Sequence, residues 1–183
     1  MCLYKDKWPK PATTLEEMKK NTEYLNAIRN IETLNQVVQF ISQTERKEDE
    51  KDYWQAPYET YSKKTYDCED LAIMTADILE RNFLGEKVAE VYFIIYEGYY
   101  KKEEKVKRTA HAVTLFYYTG DYIHKKGYYE FTNQTLRFAF DPEESNFIKY
   151  GYKHYPLGLK SFEQRTAKGK IIERKRAWIG YLK

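Results

Sequence analysis

The stretch TYDCEDLAIMTADIL, residues 65–79, joins a cysteine among acids to an apolar helical pattern. Asp67 is a good N-cap residue, and Asp70 stands at the third helical position, where an acid completes the cap. The apolar stripe that follows at helical spacing comprises Leu71, Met74, Ile78 and Leu79. The pattern predicts a central helix with Cys68 in its first turn.

The segments around this helix predict an α+β fold. Residues 14–29 and 33–44 each open with a capping-box pattern and continue as amphipathic helices. After the central helix the hydrophobic period changes to two, which predicts strands at 88–98, 109–120 and 127–134, with 136–140 as a further candidate. Helices followed by an antiparallel sheet are typical of the α+β class.

Other segments are predicted to be irregular. The charged run at 45–52 and the basic run at 101–108 are interpreted as a solvated loop and a hairpin loop. Pro57 argues against a helix in residues 53–60. No element is predicted from residue 160 onward.

Composition limits the classes of function. The 183 residues suit one domain, and a net charge of +3 is too small to imply a nucleic-acid partner. Two cysteines, Cys2 and Cys68, do not make a disulfide scaffold. No signal-peptide pattern and no run of about 18 apolar residues is present, which predicts no membrane insertion and a cytoplasmic location. An exported protein whose signal had been trimmed would look the same, and the oligomeric state stays open.

Cys68 and His111 are the candidate reactive pair. A helix N-terminus lowers the pKa of a thiol. His111 lies in the middle of the second predicted strand, on the same face as Val113 and Leu115, the face that a helix would cover. A cysteine at a helix start that faces a strand histidine is the arrangement that nucleophilic thiol catalysis needs.

Two structural alternatives stand beside this interpretation. A lone helix-start cysteine is often structural, and a lone histidine on an apolar strand face is often a core residue. Zinc is a weaker alternative, because Cys68, His111, His124 and His154 lack metal-ligand spacing.

Four motifs, taken in order, resemble a known family. They are DYWQAPYET (52–60), YDCEDLA (66–72), AHAV (110–113) and YYEFTNQ (128–134). Together they resemble the bacterial transglutaminase-like cysteine peptidases, part of the wider papain-like/transglutaminase group. The resemblance covers roughly residues 50–135. It implies a single transglutaminase-like (papain-like) domain over 1–183, in which N-terminal helices and the nucleophile helix pack on an antiparallel sheet and a C-terminal extension begins near residue 142.

The resemblance also implies roles for individual residues. Cys68 corresponds to the nucleophile and His111 to the base of a Cys-His-Asp triad. The third member departs from the family, whose Leu-Asp-Asn is replaced here by Phe131-Thr132-Asn133. Asn133 is favoured as the orienting residue because its amide oxygen can accept from the imidazole. Thr132, at the matching position, and the more distant Asp141 are the alternatives.

Two further pairs complete the candidate site. Gln55 or Trp54 is positioned in the sequence to donate to an oxyanion. Asp67 and Glu69 carry hard oxygen ligands, and adhesin-cleaving members of the resembled family bind calcium at those acids. The chemistry requires no cofactor, and calcium is a candidate ligand. Simple capping of the helix by these acids is the alternative.

The sequence therefore favours a thiol hydrolase that cleaves a peptide or isopeptide bond in a protein or peptide substrate. A protein-crosslinking acyltransferase would use the same residues with an amine as acceptor. A non-catalytic binding domain with a degenerate site is the alternative from another class.

Overall fold

The computed structural model describes residues 8–47, 53–102, 105–121, 124–154 and 159–176. The helices in these ranges are α1 (Leu15–Ile28), α2 (Leu34–Ile41), α3 (Pro57–Lys63), α4 (Cys68–Asn82) and α5 (Phe147–His154). The strands are β1 (Glu45–Arg46), β2 (Thr65–Tyr66), β3 (Val88–Lys102), β4 (Lys105–Tyr118), β5 (Gly127–Thr132), β6 (Thr135–Phe140), β7 (Leu159–Thr166) and β8 (Ile171–Arg176).

The strands form one large antiparallel sheet and one short parallel pair. The six-stranded sheet has the order β6-β5-β4-β3-β7-β8, and β1 pairs with β2 in parallel. The C-terminal strands β7 and β8 thus join the sheet beside β3. The predicted α+β class, with helices packed on an antiparallel sheet, is confirmed.

Local capping explains where three helices begin. Thr14 caps α1 and Thr33 caps α2, each with a complete capping box. Asp67 caps α4 in the same way, with Asp70 as the reciprocal partner. The predicted helices at 14–29 and 33–44 and the predicted central helix are confirmed, although α2 ends three residues earlier than predicted.

The two faces of the sheet are covered by different helices. The face that carries Ala112 and Phe116 packs against α4, and the Thr114 hydroxyl on that face donates to the Ala72 carbonyl of α4 at 2.6 Å. The opposite face carries Val113 and Leu115 and packs against α5. The face predicted for His111 is therefore covered by α5 rather than by the nucleophile helix.

Several sequence predictions were wrong in detail. Pro57 begins α3 instead of excluding a helix, because proline suits the first helical position, where its missing N–H is not needed. Part of the charged run, Glu45–Arg46, is strand β1, while residues 48–52 lie outside the described ranges. The predicted loop over 101–108 is mostly strand, because β3 continues to Lys102 and β4 begins at Lys105.

No helix among the described residues is long and apolar enough to cross a membrane. The cytoplasmic location stays a prediction.

Candidate active site

Cys68 is the first residue of α4 and lies against the sheet. Its side chain packs against a buried cluster that includes Trp54, Phe93 and Ala112. The thiol donates a hydrogen bond to Glu69 Oε2, with 2.9 Å between sulfur and oxygen. The helix start thus holds the thiol at the junction of α4, β4 and the segment that precedes α3.

The pKa of the Cys68 thiol is raised well above its ordinary value. Burial is the main cause, followed by the charge of Glu69 and by the hydrogen bond to that carboxylate. A hydrogen bond from the Ala112 backbone N–H acts in the opposite direction. The lowering expected from the helix N-terminus is outweighed, and the thiol is protonated at neutral pH.

The contact with Ala112 shows how the sulfur approaches the sheet. Backbone N–H groups of a strand point sideways, in the plane of the sheet. β5 ends at Thr132, and its ladder with β4 extends no further than Thr114 paired with Phe131. The Cys68 sulfur therefore lies beside β4 where β5 has ended, next to the residue that follows His111.

His111 is half-buried on β4, opposite Tyr96 of β3. Its Nε2 lies 2.7 Å from the Thr132 hydroxyl oxygen, at the last residue of β5. This contact fixes one ring nitrogen of His111 beside the end of β5, close to where the Cys68 sulfur approaches β4. The predicted approach of the thiol to the imidazole stays a prediction.

Thr132 and Asn133 have different environments. Thr132 is buried, whereas Asn133 is exposed and occupies the β5–β6 turn with a φ of 45°. Asn133 and Gln134 both have positive φ, as a two-residue hairpin turn requires, and asparagine tolerates this backbone conformation. Asp141 accepts from the Glu143 backbone N–H in the turn after β6. Of the three candidates, Thr132 is the one that contacts His111.

Gln55 and Trp54 are both buried beside α4. Gln55 donates to the Asp70 carboxylate from its backbone N–H and from its side-chain amide, each at 2.6 Å. The Trp54 ring packs on Phe93, with 5.4 Å between ring centroids. Of the two candidate oxyanion donors, Gln55 is thus held by α4 and Trp54 packs on the sheet.

Arg165 is a residue of this region that sequence reasoning missed. It is buried on β7, and its guanidinium lies 5.2 Å from the centroid of the Trp54 ring and 5.8 Å from that of Trp8. Glu163 pairs with the guanidinium at 2.6 Å. No local signal in the sequence marks Arg165, because its aromatic partners, Trp8 and Trp54, lie far away along the chain.

The acids predicted to bind calcium are engaged in other contacts. Asp67 accepts from the Asp70 backbone N–H at 3.3 Å, and Glu69 accepts from the thiol. Burial, together with the charge of Asp67, raises the pKa of Glu69 to about 7. The described parts of the chain contain no group of three or more His, Cys, Asp or Glu side chains that could hold a metal ion. As they stand, Asp67 and Glu69 do not form a complete calcium site.

The zinc alternative is not supported by the surroundings of His124. Its ring packs between Tyr118 and Tyr129, with centroid distances of 5.9 and 5.7 Å. The side chain of His154 and all of Cys2 lie outside the described residues.

The arrangement of helices and sheet defines a transglutaminase-like α+β fold, as the sequence predicted. A solved structure with a similar fold is Legionella pneumophila LapG, EGTA-treated, with a TM-score of 0.52 and 18% identity over 93% of this chain and 84% of that chain. Two further LapG structures, one of them calcium-bound, have TM-scores of 0.41 and identities of 18% and 19%. They cover 77% and 78% of this chain and 91% and 92% of their own. No family model matches the sequence, and no curated protein is significantly similar to it.

Proposed function

We propose that the protein is a thiol hydrolase that cleaves a peptide or isopeptide bond, with Cys68 as nucleophile and His111 as base. The observation that carries the proposal is that the start of α4 lies against β4 near the end of β5. The Cys68 sulfur lies beside β4 at Ala112, and the neighbouring His111 is held by Thr132. The four sequence motifs that resemble transglutaminase-like cysteine peptidases support the same assignment.

In the proposed mechanism the contact with Thr132 engages Nε2 of His111. We take Nε2–H to donate to the Thr132 hydroxyl oxygen, which leaves Nδ1 to take the thiol proton. The Cys68 sulfur then attacks the carbonyl carbon of the substrate, and the C=O electron pair moves onto oxygen. This oxyanion is received by the Cys68 backbone N–H and the Gln55 amide.

Collapse of the tetrahedral intermediate completes the first half of the reaction. The C–N bond breaks, the amine leaves with the proton from His111, and a thioester on Cys68 remains. His111 next removes a proton from water, whose oxygen attacks the thioester and releases the acid and the thiol. An amine in place of water gives the crosslinking acyltransferase, which uses the same residues.

Glu69 opposes the first step. Because its carboxylate accepts the thiol proton in a hydrogen bond, the thiolate forms only when that bond is released. The same observation favours the alternative function, a binding domain whose thiol does not react.

Calcium at Asp67 and Glu69 stays a proposal, and no step of the mechanism depends on it. Two carboxylates supply only part of the six to eight oxygens that calcium takes, so we expect weak binding, in the millimolar range. Calorimetric titration of EGTA-treated protein tests this, with Asp67→Asn as control. No heat up to about 10 mM calcium would remove the proposal.

The activated ester p-nitrophenyl acetate tests the proposed function without a known substrate. We expect a burst of p-nitrophenolate and an acetyl group on Cys68, seen by mass spectrometry of the intact protein and its peptides. Cys68→Ala should abolish the burst and His111→Ala should slow it by orders of magnitude. His124→Ala, a histidine packed between tyrosines, is the matched control. If wild type and Cys68→Ala behave alike, the protein is the binding domain instead.

A further inference from the structure

Asp70 makes more hydrogen bonds than a helix cap requires. It lies two residues after Cys68 and is completely buried. One of its oxygens accepts from the Asp67 backbone N–H at 3.2 Å, which completes the capping box. The two bonds from Gln55 are additional, and they tie the first turn of α4 to the segment before α3.

These bonds decide which way the Gln55 amide points. Both Asp70 oxygens accept hydrogen bonds here, so the amide nitrogen faces Asp70, and a flipped amide would set two oxygens against each other. Gln55 Oε1 is buried and has no hydrogen-bond partner in the part of the chain that the structure describes. Among the described residues, Asp70 is therefore the side chain that fixes the orientation of the Gln55 amide, through its bond to Nε2.

We propose that Asp70 is a positioning residue that holds the Gln55 amide ready to donate its second N–H to the oxyanion formed when Cys68 attacks a carbonyl. The inference rests on the proposed function, since it assigns a task within the same site. Asp70 touches no reacting atom and acts through Gln55. The bond to the Gln55 backbone N–H sets the place of the residue, and the bond to Nε2 sets the direction of the amide.

The variant Asp70→Asn changes the direction of the amide while keeping the size of the residue. The Asn oxygen can accept from the Gln55 backbone N–H, which leaves the Asn NH2 group facing the Gln55 side chain. Two NH2 groups would then oppose each other, so the Gln55 amide is expected to turn and present its oxygen. The site loses an oxyanion donor without losing Cys68 or His111.

Two reagents that attack Cys68 separate this effect from general damage. Acylation by p-nitrophenyl acetate passes through an oxyanion, whereas alkylation by iodoacetamide displaces iodide at a saturated carbon and forms none. We expect Asp70→Asn and Gln55→Ala each to slow acylation by about 100-fold, the usual cost of one oxyanion donor. Alkylation should change less than about threefold in both variants. Glu80→Gln, on the same helix and paired with Lys168 away from the site, is the matched control.

A double-variant comparison tests whether Asp70 acts through Gln55. In the Gln55→Ala background, Asp70→Asn should slow acylation little further, because the donor it positions is already absent. Independent 100-fold losses that multiply would overturn the inference.

A second double variant keeps the test decisive if Asp70→Asn alone folds poorly. In Asp70→Asn/Gln55→Glu the Asn NH2 can donate to the new carboxylate, which restores the bond between the two segments but supplies no N–H to an oxyanion. We expect the thermal midpoint to recover and acylation to stay slow. Recovery of both would show that Asp70 is only a structural brace.

Failure of the inference and failure of the proposed function give different results. A wild type without Cys68-dependent acylation ends the proposed function. A wild type with Cys68-dependent acylation, together with Asp70→Asn that acylates at the wild-type rate, ends only the role of Asp70.

Discussion

Thr132 stands where the resembled family has an aspartate, and its hydroxyl contacts His111. A neutral hydroxyl can orient the imidazole, but it cannot stabilise the imidazolium by charge as a carboxylate does. If Cys68 and His111 act as we propose, this hydroxyl and the Glu69 carboxylate against the thiol make the pair less reactive than a full triad. At the scale of single residues, the proposed site thus has a weak third member.

Thr132→Asp should therefore speed the acylation of Cys68 by p-nitrophenyl acetate, on the order of tenfold or more, because a charged partner stabilises the protonated base. Thr132→Val should slow it. Asn133→Ala is the control, since Asn133 is exposed in the turn, although the sequence alone ranked Asn133 above Thr132. Asn133→Ala as damaging as Thr132→Val would restore the original ranking.

Glu69→Gln should make Cys68 more reactive. The change removes a charge and a hydrogen bond that raise the pKa of the thiol, while the burial that is the main cause remains. Below the pKa, each unit by which it falls raises the thiolate fraction about tenfold, so we expect on the order of tenfold faster alkylation by iodoacetamide at pH 8. In wild type the rate should still be rising above pH 9. An unchanged or slower rate in Glu69→Gln would contradict the role given to Glu69.

At the scale of elements, the first turn of α4 combines a cap that the sequence predicts with contacts that it does not. The Asp67 and Asp70 capping box is local and readable from four residues. The bonds between Asp70 and Gln55 join residues 15 positions apart, next to helix α3, which the sequence pattern around Pro57 does not predict. Helices α1, α2 and α4 and the strand pattern were therefore predictable, whereas the roles of Cys68 and His111, which rest on their motifs, stay predictions. The contacts that place Gln55 were not predictable.

The two acids in the first turn of α4, Glu69 and Asp70, should make the free energy of unfolding depend on pH. Burial raises the pKa of Glu69 from 4.5 and that of Asp70 from 3.8, each to about 7. The folded state thus binds these protons more tightly than the unfolded state, and the stability they contribute is full below about pH 4 and is lost as pH rises through about 7.

Urea unfolding at pH 5 and pH 8 measures this contribution. Glu69→Gln should lose less stability than wild type between the two values, by about 1.4 kcal/mol for each pKa unit removed. Glu80→Gln should behave as wild type. A larger loss in Glu69→Gln would reverse the sign of the argument.

At the scale of the whole molecule, strand β7 of the C-terminal hairpin packs beside the candidate site. β7 inserts into the sheet beside β3, and Arg165 on β7 lies over both Trp8 and Trp54. Gly169, in the turn after β7, has a φ of 80°, and a Cβ there would clash with the Trp8 ring. No local sequence pattern predicts this arrangement, because Trp8 and Trp54 lie far from β7 along the chain.

Gly169→Ala should lower the free energy of unfolding by about 2–4 kcal/mol, from backbone strain at positive φ together with the clash against Trp8. Gly85→Ala is the matched control, because Gly85 has a φ of 89° but open space where the Cβ would stand. It should cost about 1 kcal/mol, from strain alone. Urea unfolding followed by tryptophan fluorescence measures both. Equal losses would show that contact with Trp8 contributes nothing.

The place of β7 in the sheet also sets the order in which a newly made chain can become complete. Cys68 and Trp54 leave the ribosome early, but the ladder that joins Tyr92 to Thr166 has to wait for the last strands, because long-range strand pairs form only when both partners are available. Until then the edge of β3 has no neighbour on that side and Trp54 lacks the guanidinium that covers it. Cys68 is therefore synthesised long before β7 can pack beside β3, and a growing chain carries this thiol before Arg165 is in place over Trp54.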